Sequence, residues 1–520
     1  MSRKTTLQRG EPGIYLVTVQ APGLLIRLAT SQCSVPYVDG DGPLHYWGGV
    51  QIEDFAAEVD YMATNGLGSV VQAQVQAVLP PDLDPAVLEM TGYLLSAATA
   101  EVALWWPDDD WTLRRVVVVG KVQLAALGRV NEPIRFVVES IPASEGSASV
   151  GDADRDIQIE YDTLRTIPTD LSGRQFPVIL GRCYRIPGFK VGDSGTADEL
   201  VLCGHSLHDT STVVVVYGDG AALAPAHDTP VNTTSDEGGR VCVLQDTTAP
   251  RNYFSGSTLA FTFDAMGGGI RAVEGGGATL DLADSLHWLL ANSGEVVDWP
   301  RMRGTLERLR GWRGGVYTDQ ETAMIDVIQE RLLPYLPLVA MQSNVGLWYA
   351  YIDLAELRVE ADLTVPTHLL GSIGGLQIGD TSKCYSRFIL NYFYDHFFGR
   401  YMKSVTVDET NNPLCFWSKE AYGERVAPAL SWNCTWDEAT AKRALVAIAN
   451  RNALPTIRID YQYDPLACPL LREGMIVRLT DADFGLSERV AYVQSVGLST
   501  NPPTCKIALF PRSPVRDGRI

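Results

Sequence analysis

The stretch Leu471–Phe510, LREGMIVRLTDADFGLSERVAYVQSVGLSTNPPTCKIALF, constrains the fold more than any other part of the chain. It carries three short runs, Met475–Leu479, Val490–Val496 and Lys506–Phe510, separated by Asp481–Gly485 and by the corner Asn501-Pro502-Pro503. Short runs rich in β-branched and aromatic residues and bounded by turn formers read as strands. Val490, Tyr492 and Val496 fall at alternate positions, which predicts one apolar face on the second run. Gly474 stands just ahead of the first run, where a tight turn needs a residue without a Cβ. Three strands joined by short turns predict the closing meander of a small β-barrel.

The N-terminal part, residues 1–155, reads as a second β-rich region. Gly23–Ala29 is apolar and is followed by Pro36 and the turn Asp39–Gly42. Tyr46–Val50 then leads into Ile52–Asp60. Glu101–Trp106 and Trp111–Val122, rich in Val and Trp, flank the turn formers Pro107–Asp110 and predict a hairpin. Val87–Ala98 fits helix or strand equally. After the polar linker Asp152–Asp170, Phe176–Phe189 and Val213–Val216 with its GDG end predict a small inserted β-domain over residues 156–278.

A helical segment is expected over 279–345. Leu282, Leu286, Leu289 and Leu290 share a helix face, with Gly294 just past its end. Thr318-x-x-Glu321 has the spacing of a capping box ahead of Ala323, Met324, Val327, Ile328 and Leu332, stopped by Pro334. Leu338–Met341 and Leu347–Leu354, around Ser343–Gly346, predict a hairpin. In the last region, 346–520, Phe388–Asp395 is a strand, and Thr435-x-x-Glu438 is expected to cap a helix. Ala439, Ala444, Leu445, Ile448 and Ala449 would face the sheet, Pro455 would end the helix, and Thr456–Tyr463 alternates as a half-buried strand. The whole is α+β, mainly β.

Chemistry-bearing clusters are sparse. Cys203, His205 and His208, with Asp209 beside them, form the best metal-like group, but tetrahedral zinc wants four ligands and no fourth is evident. Asp39, Asp41 and Asp108–Asp110 lack the spaced ligand run of a calcium loop and read as solvated turns. Gly267–Gly269 and Gly275–Gly277 follow Phe261–Phe263 without the strand-then-helix context of a phosphate cradle. GxSxG, Walker A and HExxH patterns are absent, and the seven histidines are dispersed. No catalytic residue and no cofactor is therefore expected. Paired carboxylates of a glycosidase need a cleft that sequence cannot show, so a hydrolase stays open as an alternative.

At 520 residues the chain is too long for one core. Its net charge of −20 disfavours wrapping nucleic acid, since phosphate contacts need Lys and Arg to displace counterions. One basic island, Trp299–Gly315 with Arg301, Arg303, Arg308, Arg310 and Arg313, breaks that balance. It reads as a solvated helix face or a source of ion pairs, with nucleic-acid contact as the alternative. No apolar run approaches the roughly 20 residues that span a bilayer, no signal peptide is visible, and nine cysteines without CxxC read as reduced thiols.

Several phrases also resemble a known family in collinear order. EGMIVRLTD followed by FGLSERVAYVQSVGLS resembles the hub domain of bacteriophage tail-tip, or baseplate hub, proteins. YWGGVQI, EVALWWPDDDW and VVVVGKV are similar to that family's N-terminal barrel; PVILGRCYRIP with VVVVYGDG is similar to its inserted module. VGLWYAYIDL and SKEAYGER resemble phrases of its second barrel. The resemblance implies two hub β-barrel domains, 1–155 and 346–520, carrying the inserted domain and the helical segment between them. It further implies a structural virion protein: a homotrimer closing the distal end of a tail tube and gating DNA exit. Implied partners are the distal tail protein, the C-terminus of the tape measure protein and a central fibre or receptor-binding protein, with possible contact to the host envelope. Phage DNA would pass through the channel without specific binding, past a lumen lined by acidic side chains. A distal-tail ring protein, hexameric and one layer higher, and a component of a gene-transfer agent or tailocin are the other readings. No fibre-like extension follows Phe510, which assigns receptor binding to another protein.

Overall fold

The computed structural model describes residues 14–21, 24–35, 44–59, 61–62, 69–77, 98–105, 114–126, 134–140, 149–150, 178–187, 189–191, 199–203, 215–218, 221–222, 231–234, 240–245, 261–265, 281–318, 322–342, 346–354, 357–464, 467–468, 471–497 and 504–512. The three C-terminal runs are the strands Ile476–Asp481, Leu486–Gly497 and Thr504–Leu509, paired as an antiparallel meander. Gly485 makes the first turn at φ +63°. The second run departs from the expected single apolar face. Ala491, Val493 and Val496 enter one core, whereas Tyr492 packs on the opposite side. A register shift between Val493 and Ser495 inserts one residue and reverses the alternation, so Val496 does not share the face of Tyr492.

Six strands form this C-terminal unit. In chain order they are Ala361–Thr364, Leu369–Ser372, Ile457–Tyr463 and the three strands of the meander. In space the order is first, fourth, fifth, sixth, third, second. A tight turn joins the first two, with the His368 amide donating to the Thr364 carbonyl at 2.8 Å and His368 Nδ1 accepting from the Thr364 amide at 3.1 Å. Leu363, Leu369, Ile459, Tyr461, Val477, Leu479, Ile507 and Leu509 fill the concave side. Alternation in Ile457–Tyr463, with Ile459, Tyr461 and Tyr463 buried, matches the half-buried strand expected from its sequence.

The N-terminal part contains a second set of six. These are Ile14–Ala21, Val50–Val59, Ser69–Ala77, Thr99–Trp105, Arg115–Ala126 and Ile134–Ser140, and their spatial order is again first, fourth, fifth, sixth, third, second. The expected Trp-rich hairpin is its fourth and fifth strands. Both units carry register shifts at the same three pairings. Second with third shifts at Ile52/Asp54 and at Leu369/Gly371; fourth with fifth at Val102/Ala103 and at Leu479/Asp481; fifth with sixth at Leu124/Ala126 and at Val493/Ser495. Sixth with third is regular in both. Even single bonds correspond: the Val122 amide donates to the Ala98 carbonyl and the Val493 amide to the Met475 carbonyl, each at 2.9 Å and each one residue ahead of the fourth strand. The units differ in the first pairing, antiparallel in the N-terminal unit and parallel in the C-terminal one. The N-terminal unit also carries three extra strands, Leu24–Ala29, Cys33–Val35 and Leu44–Gly48, beside its first.

Between the units lie two four-stranded sheets built from segments of 183–265, then the helical segment. The helix Leu282–Asn292 buries Leu282, Leu286, Leu289 and Leu290 as its spacing predicts, and Gly294 follows at φ +78°. Met324–Val327 continues as one π-helical stretch, Ile328–Leu332, with Met324, Val327, Ile328 and Leu332 buried. Glu321 of the expected capping box lies outside the described residues. Thr318 is the last residue of the strand Gly315–Thr318, paired with Val178–Gly181, and the helix opens at Ala323 without a side-chain cap. Thr435 is likewise not the cap of Glu438–Asn452. Asp437 is, accepting from the Thr440 amide at 2.8 Å, while the Thr435 hydroxyl donates to the Arg313 carbonyl at 2.8 Å. Ala441, Ala444, Leu445 and Ala449 form the buried face of that helix, and Ala439 is exposed. Leu338–Gln342 and Leu347–Tyr351 pair as the expected hairpin, and Phe388–Asp395 pairs with Arg400–Val407. One core joins these helices and hairpins with Val178 and Leu180. Among the described residues no helix is long and apolar enough to cross a membrane.

Candidate assembly surfaces

The two six-stranded units meet through backbone and aromatic packing. Glu58, near the end of the second N-terminal strand, pairs antiparallel with Ser495 on the fifth C-terminal strand. The fourth strand begins only at Ile476, opposite Tyr492, so the far end of the fifth strand has that side open to another strand. Three residues beyond Glu58, Tyr61 reaches across and donates to the Gly474 carbonyl at 2.6 Å. Burial holds the Tyr61 hydroxyl protonated far above the ordinary tyrosine range. Tyr61, Tyr492 and Phe510 pack ring on ring, with centroids 5.1, 5.0 and 6.5 Å apart, over Met341, Ile352 and Ala508. Gly474 sits at φ +76°, and a Cβ there would stand 2.8 Å from the Tyr61 hydroxyl. The turn glycine read from the sequence is therefore also the landing point of the N-terminal unit.

The second strand of the C-terminal unit is exposed where its N-terminal counterpart is joined. Leu370, Ile373, Leu376 and Ile378 are 50, 54, 43 and 65% exposed, four of the ten large apolar side chains exposed among the described residues. Gln377–Ile378 continues this edge past Ser372 and pairs with Arg458 and Ile457. Sequence reasoning missed the edge. Its signal is four aliphatic residues spaced by Gly371, Gly374 and Gly375, a pattern with no second apolar face to bury.

The basic island is tied into the protein. Asp298 caps Trp299–Arg308, accepting from the Arg301 amide at 3.4 Å and pairing with the Arg301 guanidinium at 3.5 Å. Arg301 lies 5.6 Å over the Trp348 ring, and Arg308 lies 4.6 Å over Tyr351 while donating to its carbonyl at 3.3 Å. Arg303, Arg310 and Arg313 are exposed. Next to this face a cavity of about 520 Å³ opens between Met62, Trp312, Ile352 and the helix Glu438–Asn452, with Lys442, Arg443 and Arg451 on its wall. Arg443 covers the Trp312 ring at 4.5 Å, and burial lowers the Arg451 pKa to about 10. The arrangement can seat an acidic or apolar segment.

Of the sequence-derived metal candidates, Cys203 ends the strand Glu199–Cys203, in register with Cys242. His205, His208 and Asp209 lie outside the described residues, as do Asp39, Asp41, Asp108–Asp110, the linker Asp152–Asp170, both glycine clusters, the corner Asn501–Pro503 and residues 87–97 of the helix-or-strand segment. Among the described residues no group of three or more His, Cys, Asp or Glu is placed to hold a metal. The described histidines have structural company: His45 bonds Ser34 at 2.8 Å, His287 packs on Trp299 at 4.9 Å, and His396 lies between Tyr317 and Tyr394. Cys33, Cys183, Cys384, Cys415, Cys434, Cys468 and Cys505 are free thiols.

No family model matches the chain, and no curated protein matches it in sequence. Among solved structures it is similar to a chain from the virion of a native gene transfer agent particle, at 16% identity and TM-score 0.42, covering 71% of this chain and 91% of that one. It is similar to the 43 kDa tail protein of prophage MuSo2 from Shewanella oneidensis, at 9% identity and TM-score 0.37, covering 95% and 97%. A third is prophage tail protein gp18 from Listeria monocytogenes EGD-e, at 9% identity and TM-score 0.27, covering 64% and 87%.

Proposed function

We propose that this chain is a structural protein of a phage-type tail, a trimeric hub that closes the distal end of the tail tube. The observation that carries the reading is the repeated six-strand order, with register shifts in the same three strand pairings of each unit. Two like units per chain, taken three times around an axis, present six like faces to a sixfold tube, and a closed ring covers strand edges that otherwise template aggregation. The collinear resemblance to tail-tip hub proteins supports the same reading. In it, residues 1–155 and 346–520 are the hub domains, with 156–278 inserted and 279–345 as the helical segment. The protein acts at the tail tip by fit: it joins the distal tail protein above to the central fibre or receptor-binding protein below, meets the end of the tape measure protein, and opens for DNA. The net charge of −20 supports an acidic lumen past which DNA slides without sticking.

The purified chain is expected to sediment or scatter as three copies of 56.8 kDa. Six copies would favour the ring protein of the neighbouring layer, and one copy would contradict the hub reading.

A further inference from the structure

The cavity beside the basic island runs against the charge of the chain. Among the described residues that line it, three are cations, Lys442, Arg443 and Arg451, and one is an acid, Asp353, in a protein of net charge −20. Much of the remaining wall is apolar, with Met62 beside the N-terminal unit, Ile352 and Leu354 just past the hairpin, and Val446 on the helix Glu438–Asn452. Its volume of about 520 Å³ falls within the roughly 300–1,000 Å³ of sites that bury a ligand. Arg451 is the unusual member. It is 9% exposed, and of the five N–H donors of its guanidinium one, on Nη2, reaches the Leu338 carbonyl at 3.5 Å. A buried charge is normally paired or held by several hydrogen bonds, because the water that would solvate it is gone. Burial lowers the Arg451 pKa with no carboxylate to offset it. Asp353 acts instead on Tyr351, whose hydroxyl is pushed up by burial and then by that carboxylate. Arg443 and Arg451 stand eight residues apart on one helix, about 12 Å along its axis. An extended chain covers that span in about four residues at roughly 3.3 Å each, and residues four apart point to the same side of it.

We propose that this cavity binds an extended peptide segment of a partner protein, one carboxylate on Arg451, a second near Lys442 and Arg443, and apolar side chains between them. Charge complementarity sets the sign of the occupant. Its length follows from the helix: a fatty acid has a single carboxylate, whereas the cations stand near both ends of Glu438–Asn452. A carboxylate accepts two parallel bonds from a guanidinium, which uses donors that Arg451 does not spend within the chain. Because Met62 is on the wall opposite that helix's residues, a bound segment also ties the stretch after the N-terminal unit to the helical core. The site is independent of the ring reading above.

Fluorescence anisotropy on the full chain tests it. The probes are labelled, acetylated and amidated pentapeptides with glutamate at the first and last positions and leucine, valine, alanine or phenylalanine between. Saturable binding by at least one of them is expected, and its loss when both glutamates become glutamine. Arg451→Met keeps a long side chain and removes a buried charge, so the variant is expected to melt no lower than wild type. It is expected to weaken binding at least about tenfold, as the loss of one partner of a hydrogen-bonded charge pair does. Arg443→Gln changes an exposed side chain, folds whatever the outcome at Arg451, and is expected to weaken binding several-fold. Equal binding of the glutamine peptides, wild-type affinity in both variants, or no binding by any probe at millimolar concentration overturns the site. Tighter binding of octanoate than of every peptide overturns the peptide assignment and gives the cavity to a single-headed carboxylate.

Discussion

Replacing Tyr492 with alanine is expected to destabilise the protein by about 3–5 kcal/mol, the range for truncating a fully buried large aromatic side chain. Its ring is inaccessible to solvent and touches both Tyr61 and Phe510, so the loss falls on the seam between the two units as well as on its own strand. The small residue leaves a cavity that the flanking strands cannot close, because Ala491 and Val493 are held on the other face by the opposite core. Thermal unfolding of the variant should show a first transition lowered by several degrees, with the N-terminal unit more open to protease. Tyr61→Phe leaves the rings in place and removes only the donor to the Gly474 carbonyl, so it costs about 1–3 kcal/mol. Equal effects for the two variants would show that ring packing at the seam contributes little.

Gly314→Ala is expected to be at least as damaging. A Cβ at Gly314 collides with the Cys434 carbonyl oxygen and stands 2.8 Å from Leu282 Cδ2; one at Gly315 collides with the Arg182 carbonyl. Backbone meets backbone at this point. The Gly315 amide donates to the Cys434 carbonyl at 2.8 Å, and the Arg182 amide donates to the Gly314 carbonyl at 3.3 Å. The segment from 178, the start of Gly315–Thr318 and the approach to Glu438–Asn452 are held together here without room for a methyl group. Inserting a group into a well-packed core costs about 1–3 kcal/mol, occasionally more, and a clash against two backbones lies at or above the top of that range. Low soluble yield, or a melting point many degrees lower in what remains, is the expected readout. A variant melting within a degree of wild type would mean that this junction is looser than its geometry.

Much of the fold was legible in the chain. The C-terminal meander, the Trp-rich hairpin, Phe388–Asp395 and the leucine helix announce themselves through periodicity and turn residues, which are local. The errors arose where a distant partner decided the outcome. Thr318 has cap spacing, yet Val178 draws it into a strand; Thr435 has it too, but its hydroxyl is used by the Arg313 carbonyl. Tyr492 and Val496 look like one face, and a single extra residue puts them on two. The repeat was expected from the family resemblance alone and shows no internal periodicity in the sequence, because insertions fall at different places in the two units. Three strands follow the first strand in one, and the hairpin and helices of residues 379–456 follow the second in the other. The exposed edge was hidden for the reason that makes it a candidate surface: its aliphatic side chains stay exposed among the described residues, so no buried face sets a period.

End-on electron-microscopy averages of the purified assembly are the most direct measurement. A wall of six equivalent lobes in a particle with the mass of three chains is the expected result, two lobes for each chain. Three lobes paired with a different structure between them, or a particle with no central axis, would contradict the equivalence of the two units on which the proposed function stands.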